Sequence, residues 1–167
     1  VVFDTETTGL NVFEDDIVQI AAVKMCRGHI VEGSALSLFI KTTRPVPAKL
    51  GDIDNPIIEE MKHHTLLEPA EALRRFISYV GDLPLLGHNA DYDYNILDHN
   101  LRRYCPDIDL HRVCPTYFDS LKVVRLIEPG LKVYKLNSLL AALHLAGTNS
   151  HHADEDVNAT CCLVAYC

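Results

Sequence analysis

The chain has no apolar run near the roughly 18 residues needed to cross a bilayer. Its first residues, Val1-Val2-Phe3-Asp4, lack the basic-then-apolar pattern of a secretory leader. Both absences point to a soluble, cytoplasmic chain. None of the six cysteines stands in CxxC spacing, and Cys161, Cys162 and Cys167 crowd together at the end. Reduced thiols are therefore favoured over a zinc site or a disulfide framework. Positive charge is also in short supply, with 15 Lys and Arg against 23 Asp and Glu and a formal net charge of −8. That argues against a broad basic nucleic-acid-binding surface, but not against a small site that carries its own cations. No internal repeat or low-complexity tract occurs, and no initiating Met.

What remains is the composition of one globular domain: 167 residues, 48% hydrophobic and 23% charged. The apolar residues at both ends suggest a domain of a longer polypeptide, or one trimmed at each terminus. Residues 1–167 read as a single domain.

Val1 to Asp4 reads as the end of a buried strand, followed by turn chemistry at Thr7, Thr8 and Gly9. Ile17 to Met25 is a branched apolar run of strand length. A turn over Cys26 to His29 leads into a third strand, Ile30 to Thr42, paired antiparallel with the second. Residues 43–57, with three prolines and a glycine, read as loop. Pro69 opens an amphipathic helix that Gly81 ends. Leu83 to Gly87 is a short buried strand, Tyr92 to Tyr104 a helix, and Arg112 to Phe118 a fifth strand. Asp119 is a good N-cap for a helix through Ile127. Further helices follow at Leu136 to Leu145 and Ala153 to Tyr166. Strands that first meander and then alternate with helices indicate an α/β domain with a mixed sheet.

Three clusters carry chemistry. In Phe3-Asp4-Thr5-Glu6, side chains two apart share a strand face, so Asp4 and Glu6 can aim two carboxylates at one point. Paired carboxylates repel unless a proton or cation sits between them, and hard oxygen ligands suit Mg²⁺ or Mn²⁺ rather than zinc. His88-Asn89-Ala90-Asp91-Tyr92-Asp93 lies where a strand gives way to a helix, the place where α/β sheets put ligands. Spacing alone does not choose between Asp91 and Asp93, and each could simply cap the helix. His151-His152-Ala153-Asp154-Glu155-Asp156 opens the last helix and offers a general base near neutral pH with a carboxylate about one turn on. Asp154 and Glu155 read as charges that suit the helix dipole. Together the clusters fit a two-metal phosphoryl-transfer site, in which cations roughly 3.5–4 Å apart activate water and stabilise the leaving oxygen.

The order FDTETTG (3–9), HNADYD (88–93), YKLNSLL (134–140) and HHADED (151–156) resembles the DEDDh exonucleases, the family of the proofreading epsilon subunit of bacterial DNA polymerase III. The resemblance implies a ribonuclease H-like three-layer fold, with a mixed central sheet of about five strands flanked by helices. It also implies removal of nucleoside 5′-monophosphates from a single-stranded DNA 3′ end with two Mg²⁺ or Mn²⁺. It assigns Asp4, Glu6, Asp93 and Asp156 to the metals and His151 to the water's proton. Thr7, Gly9 and Leu10 would meet the terminal nucleotide, with His88, Asn89, Tyr134 and Lys135 as further substrate contacts. A polymerase or other domains of a parent polypeptide are the implied partners.

The alternatives are an exoribonuclease that trims RNA, and a non-catalytic nucleic-acid-binding or polymerase-docking module. Gln19 stands where many relatives carry Glu, Tyr92 replaces the commoner Phe, and residues 48–66 lack the IHGIT-like segment of the family. Residues 102–135 hold seven Lys and Arg against four acids, a candidate phosphate track.

Overall fold

The computed structural model describes residues 1–147 and 152–167. In chain order the strands and helices begin with β1 (Val2–Thr7), β2 (Ile17–Val23), β3 (Met25–Cys26), β4 (His29–Ile30) and β5 (Leu36–Ile40). They continue with β6 (Lys49–Leu50), β7 (Ile53–Asp54), α1 (Ile57–His63), β8 (Leu66–Leu67), α2 (Pro69–Val80) and β9 (Leu85–Gly87). The last are α3 (Ala90–Tyr104), α4 (Leu110–Val113), β10 (Tyr117–Asp119), α5 (Ser120–Ile127), α6 (Leu136–Ala142) and α7 (Ala153–Tyr166).

The main sheet has six strands in the order β10-β9-β1-β2-β5-β8. β2 runs antiparallel to both β1 and β5, while β9, β10 and β8 pair parallel with their neighbours. The alternation of side chains along β1 and β2 builds two cores. Phe3, Ile20 and Ala22 pack with Leu73 and Phe76 of α2 and Ile96 and Leu97 of α3. Val2, Ala21 and Val23 pack with Ala153, Val157 and Cys161 of α7. The result is a helix–sheet–helix sandwich, the three-layer mixed α/β architecture expected from the sequence. β2 is buried along its whole length, which explains why its run IVQIAAV does not alternate in polarity.

Several sequence expectations change. The sheet has six strands rather than about five, because the two-residue β8 adds an edge too short to read from its pattern. Ile30 to Thr42 is not one strand: a turn separates β4 from β5. Residues 43–57 hold the β6–β7 hairpin, and α1 follows it. Arg112 to Phe118 gives only Tyr117 and Phe118 to β10, since Asp109 caps the short α4 by accepting from His111 N. Asp119 caps α5 as expected, accepting from Leu121 N. α6 stops at Ala142, before the left-handed His144.

One buried carboxylate ties the loop after β1 to the rest. Asp16, 1% exposed, accepts from Thr43 N and Oγ1 (both 2.7 Å), Arg44 N (3.1 Å), Arg103 (2.8 Å) and the Tyr104 hydroxyl (2.8 Å). Arg103 also donates to the carbonyls of Phe13 and Glu14. Burial pushes the Asp16 carboxyl up, but the hydrogen bonds from Thr43, Tyr104 and Arg44 outweigh it and hold the pKa below the ordinary range. This stabilisation is present above the unfolded-state pKa and is lost as pH falls through the depressed folded one. Asp16→Ala should lower unfolding stability by about 3 kcal/mol, since it strands Arg103 and four other donors. Urea denaturation checks this, and a loss under about 0.5 kcal/mol, the scale of an ordinary surface change, contradicts it.

Candidate active site

β1 delivers Asp4 and Glu6 to the face covered by α7, because they follow Val2 at intervals of two. Register slips between Glu6 and Thr7, leaving Val18 of β2 as the extra residue. Such a bulge bends the pair and re-aims the chain where the strand ends. From α7, Asp156 arrives about one turn into the helix. Carboxylate oxygens of Asp4, Glu6 and Asp156 all lie within 4.8 Å of one another.

Asp93 comes from the first turn of α3, on the other side of the sheet. Its Oδ1 accepts from Thr5 N (3.1 Å) and Thr5 Oγ1 (2.6 Å), so the side chain is pinned to β1 rather than capping its own helix. Asp91 is drawn away, to the Tyr117 hydroxyl (2.7 Å) and the Lys122 ammonium (2.8 Å). The ambiguity between these two acids is thus resolved in space: Asp93 lines a cleft of about 630 Å³ with Asp4, Glu6 and Asp156, and Asp91 does not. A smaller apolar cavity of about 250 Å³, between Leu83, Cys114 and Phe118, lies at the other end of β9.

The electrostatics follow from burial and crowding. Desolvation, then the charges of Asp93, Asp156 and Glu6, push the Asp4 carboxyl well up. Glu6 rises to about 8, through burial and then Asp156 and Asp93. Burial raises Asp93 to about 7 against the opposing Thr5 hydrogen bonds. Buried acids that resist ionisation this way fit a site that divalent cations neutralise, and an all-oxygen donor set fits hard ions. Asp4, Glu6 and Asp156 have the spacing to share one such ion.

The turn after β1 also lines the cleft, through Thr7, Gly9 and Leu10. The Tyr92 hydroxyl donates to Gly9 O (2.7 Å) and lies 2.8 Å from Thr7 Oγ1, contacts that the commoner Phe could not make. A Cβ on Gly9 would sit 2.5 Å from Asp15 Oδ2. That carboxylate is held by Thr8 Oγ1 and Asn11 N, so this close approach requires glycine. Leu10 is 87% exposed.

Other candidates lie elsewhere. His88 spends both ring nitrogens inside the fold, Nδ1 on Ser120 Oγ (2.9 Å) and Nε2 on Tyr134 O (3.1 Å). Asn89 adopts a left-handed conformation, and its N–H donates to Asp119 Oδ1 (2.9 Å). Tyr134 donates its hydroxyl to Glu128 O, and Arg125 covers its ring. Lys135 stands at the start of α6. None of these four lines the carboxylate cleft; His88 and Asn89 tie the β9–α3 junction to α5 and to the segment before α6. His151 lies outside the described residues.

The phosphate track thins out as well, because Arg102 pairs with Asp98, Arg103 with Asp16 and Lys122 with Asp91. Asp154 is more than a helix-dipole charge: its Oδ2 accepts from Gln19 Nε2 (2.9 Å) and Ser37 Oγ (3.0 Å). An amide at position 19 can donate to that carboxylate, whereas an ionised Glu there would repel it. The reading of residues 43–57 as loop missed the facing wall of the cleft, formed by Pro47, Lys49, Leu50 and Gly51. Gly51-Asp52 between the apolar Leu50 and Ile53 was the available hairpin signal.

A mixed sheet whose central strand presents two acids, completed by acids from helices on either side, is the architecture of the ribonuclease H-like nucleases. A family model described as Exonuclease (RNase_T) matches residues 1–164. The chain is 36% identical over 160 residues to a DNA polymerase III of PolC type from Latilactobacillus sakei, covering 96% of this chain and 10% of the polymerase. The PolC-type polymerase of Oceanobacillus iheyensis is 32% identical over 160 residues, covering 96% and 11%. Among solved structures, the zinc-ion-bound complex of E. coli exonuclease I with single-stranded DNA is similar in fold. Its TM-score is 0.76 at 21% identity, over 98% of this chain and 39% of that one. Exonuclease X in complex with 5′ overhanging duplex DNA gives 0.64 at 23% identity, over 99% and 88%. The chain belongs to the exonuclease family, in its DEDDh-type branch, which uses divalent metals. It spans about a tenth of the length of the polymerases it matches.

The raised pKa values set a pH dependence. Between the unfolded and folded pKa of Glu6, the native state binds more protons than the unfolded one, so stability falls as pH rises through that window, from about 4.5 to about 8. In chelator, the melting temperature of Glu6→Gln should therefore gain on that of the wild type as pH rises from about 5 to about 8. Mg²⁺ or Mn²⁺ should raise the wild-type value, more at the upper pH, because binding to the native state stabilises it. Thermal unfolding with and without metal reads both effects. A metal shift that survives Asp4→Asn unchanged would place the ions elsewhere.

Proposed function

We propose that this chain hydrolyses the terminal phosphodiester at the 3′ end of single-stranded DNA, releasing nucleoside 5′-monophosphates, with two Mg²⁺ or Mn²⁺ ions in the cleft. The observation that carries this reading is the convergence of Asp4, Glu6, Asp93 and Asp156 on one cleft in a chain matched to an exonuclease family along nearly its whole length. Four acids crowded together serve poorly as a pocket for an apolar or anionic small molecule; they serve well as a cradle for cations.

In this reading Asp4, Glu6 and Asp156 hold one ion, and Asp4 with Asp93 the other. Ions held there supply a lowered pKa for water and charge neutralisation for the phosphate and the leaving oxygen. His151 accepts the proton of the attacking water as its oxygen bonds to phosphorus. The P–O3′ bond breaks, and the terminal phosphate leaves on its nucleoside. Thr7, Gly9 and Leu10 seat the terminal nucleotide. The Tyr92 hydroxyl keeps that turn in register with α3, and the Thr5 hydrogen bonds hold Asp93 at the strand end. The domain serves proofreading or repair within a larger polypeptide that also carries a polymerase.

The test uses a 5′-labelled oligodeoxynucleotide and an RNA of matched sequence, each incubated with Mg²⁺ or Mn²⁺. A ladder shortening from the 3′ end of the DNA, with mononucleotide release, is expected, and chelation should stop it. His151→Ala should lower kcat on the order of 10²- to 10⁴-fold. Faster shortening of the RNA would favour the exoribonuclease alternative. Metal-independent binding of both strands without turnover would favour a docking module.

A further inference from the structure

We propose that Lys49, on the β6–β7 hairpin, grips the phosphodiester one linkage upstream of the scissile one and so sets the enzyme's affinity for a strand as distinct from a mononucleotide. This rests on the nuclease reading above. The cleft has two unlike walls: the carboxylates and the Thr7–Leu10 turn form one, and Pro47, Lys49, Leu50 and Gly51 form the other. Lys49 is the one cationic side chain among the cleft's described lining residues.

It is also unspent. Lys41, Arg44, Lys62, Arg74, Arg103 and Lys122 each sit in an ion pair. Lys49 has none within 4.0 Å among the described residues, although Asp54 is its register partner on β7. Its side chain is exposed.

The hairpin is built to hold such a residue out. Asn55, 5% exposed, anchors its base: its N–H donates to Ala48 O (2.9 Å), its Nδ2 to Pro47 O (2.9 Å), and its Oδ1 accepts from Ile57 N at the start of α1 (3.2 Å). At the tip, Gly51 takes φ +62° and closes a two-residue turn with Asp52.

Charge complementarity supplies the ligand. Ions on the carboxylate wall neutralise the scissile phosphate, but the next phosphate of an entering strand meets a protein that is acidic overall and a cleft whose remaining charge is negative. A lysine on the facing wall is the counter-charge available there, and phosphate contacts position a strand without reading its bases. Leu50, on the same wall as Lys49, offers apolar surface to the base between the two linkages, as Leu10 does on the other wall to the terminal one.

The experiment measures KM, kcat and the salt dependence of KM for wild type, Lys49→Ala and Lys49→Arg. The two substrates are a 5′-labelled oligothymidylate and the same strand with one uncharged methylphosphonate at the linkage upstream of the scissile bond. Lys49→Ala should raise KM on the charged strand on the order of tenfold, with a smaller change in kcat, and flatten the log–log salt slope by about 0.7. Lys49→Arg should recover most of the loss. The methylphosphonate should weaken the wild type by a similar factor and Lys49→Ala by much less, as expected when two changes remove one contact. Equal KM and salt slope in wild type and Lys49→Ala overturn the proposal, as does an alanine penalty of the same size on both strands. A wild type that cleaves neither strand overturns the nuclease reading and this proposal with it, a result distinct from full activity indifferent to Lys49.

Discussion

The constraint behind the rest of this structure is the confinement of like charges. Asp4, Glu6 and Asp156 bring carboxylate oxygens within 4.8 Å of one another, and Asp93 joins them from the opposite side of the sheet. No segment of chain would gather these groups unaided, since burial and mutual repulsion both oppose their ionisation. The hydrophobic layers supply the opposing free energy: α7 is pressed onto β1 and β2 through Val157 and Cys161, and α3 through Ile96 and Leu97. Each helix that contributes an acid therefore also contributes apolar residues to a core directly behind it. The packing that holds the sheet and its helices together is thus also what holds the acids together.

How far this could be read beforehand depended on the length over which a pattern repeats. β1, α2, α3 and α7 were legible because period-two or period-three-and-four spacing runs through them. Asp4 and Glu6 followed from period two alone. Asp93 did not, because Asp91 had equal standing by spacing; what separates them is Thr5 from β1 and Lys122 from α5, contacts made across tens of residues. The two-residue strands β6, β7 and β8 carry too few side chains to show any period, and with them the wall bearing Lys49 went unread. The two ring-nitrogen contacts of His88, to Ser120 and the Tyr134 carbonyl, were equally beyond reach of any period, since they join three segments far apart in the chain.

The two positions that the sequence sets apart from the family pattern, Gln19 and Tyr92, are coupled to their surroundings. Tyr92 adds a hydroxyl that binds the Thr7–Gly9 turn, and Gln19 adds an amide that binds Asp154, two residues ahead of Asp156 on α7. Both act on segments that present site residues rather than on the site's chemistry. The Gln19 contact also crosses to Ser37 on β5, so the entrance of α7 is held by two strands at once. Rigidity of that kind matters where acids must be held against repulsion, because a small outward drift of the helix would relieve the charge and open the site.

Charge placement then limits how a polyanion can be held. Three of the seven cations that the sequence offered as a phosphate track are committed, Arg102 to Asp98, Arg103 to Asp16 and Lys122 to Asp91. Those pairs lie on an acidic protein, where an extended contour of phosphates finds little net attraction. In the proposed reading, attraction is instead concentrated at the cleft, where ions and Lys49 offset the acids. A strand would then be gripped at its end and weakly along its length, which suits a domain that samples termini presented to it. Relatives about ten times longer have ample chain to make that presentation. The same acidity that disfavours a broad nucleic-acid surface thus becomes consistent with a nuclease, provided the substrate is an end and the positive charge is local.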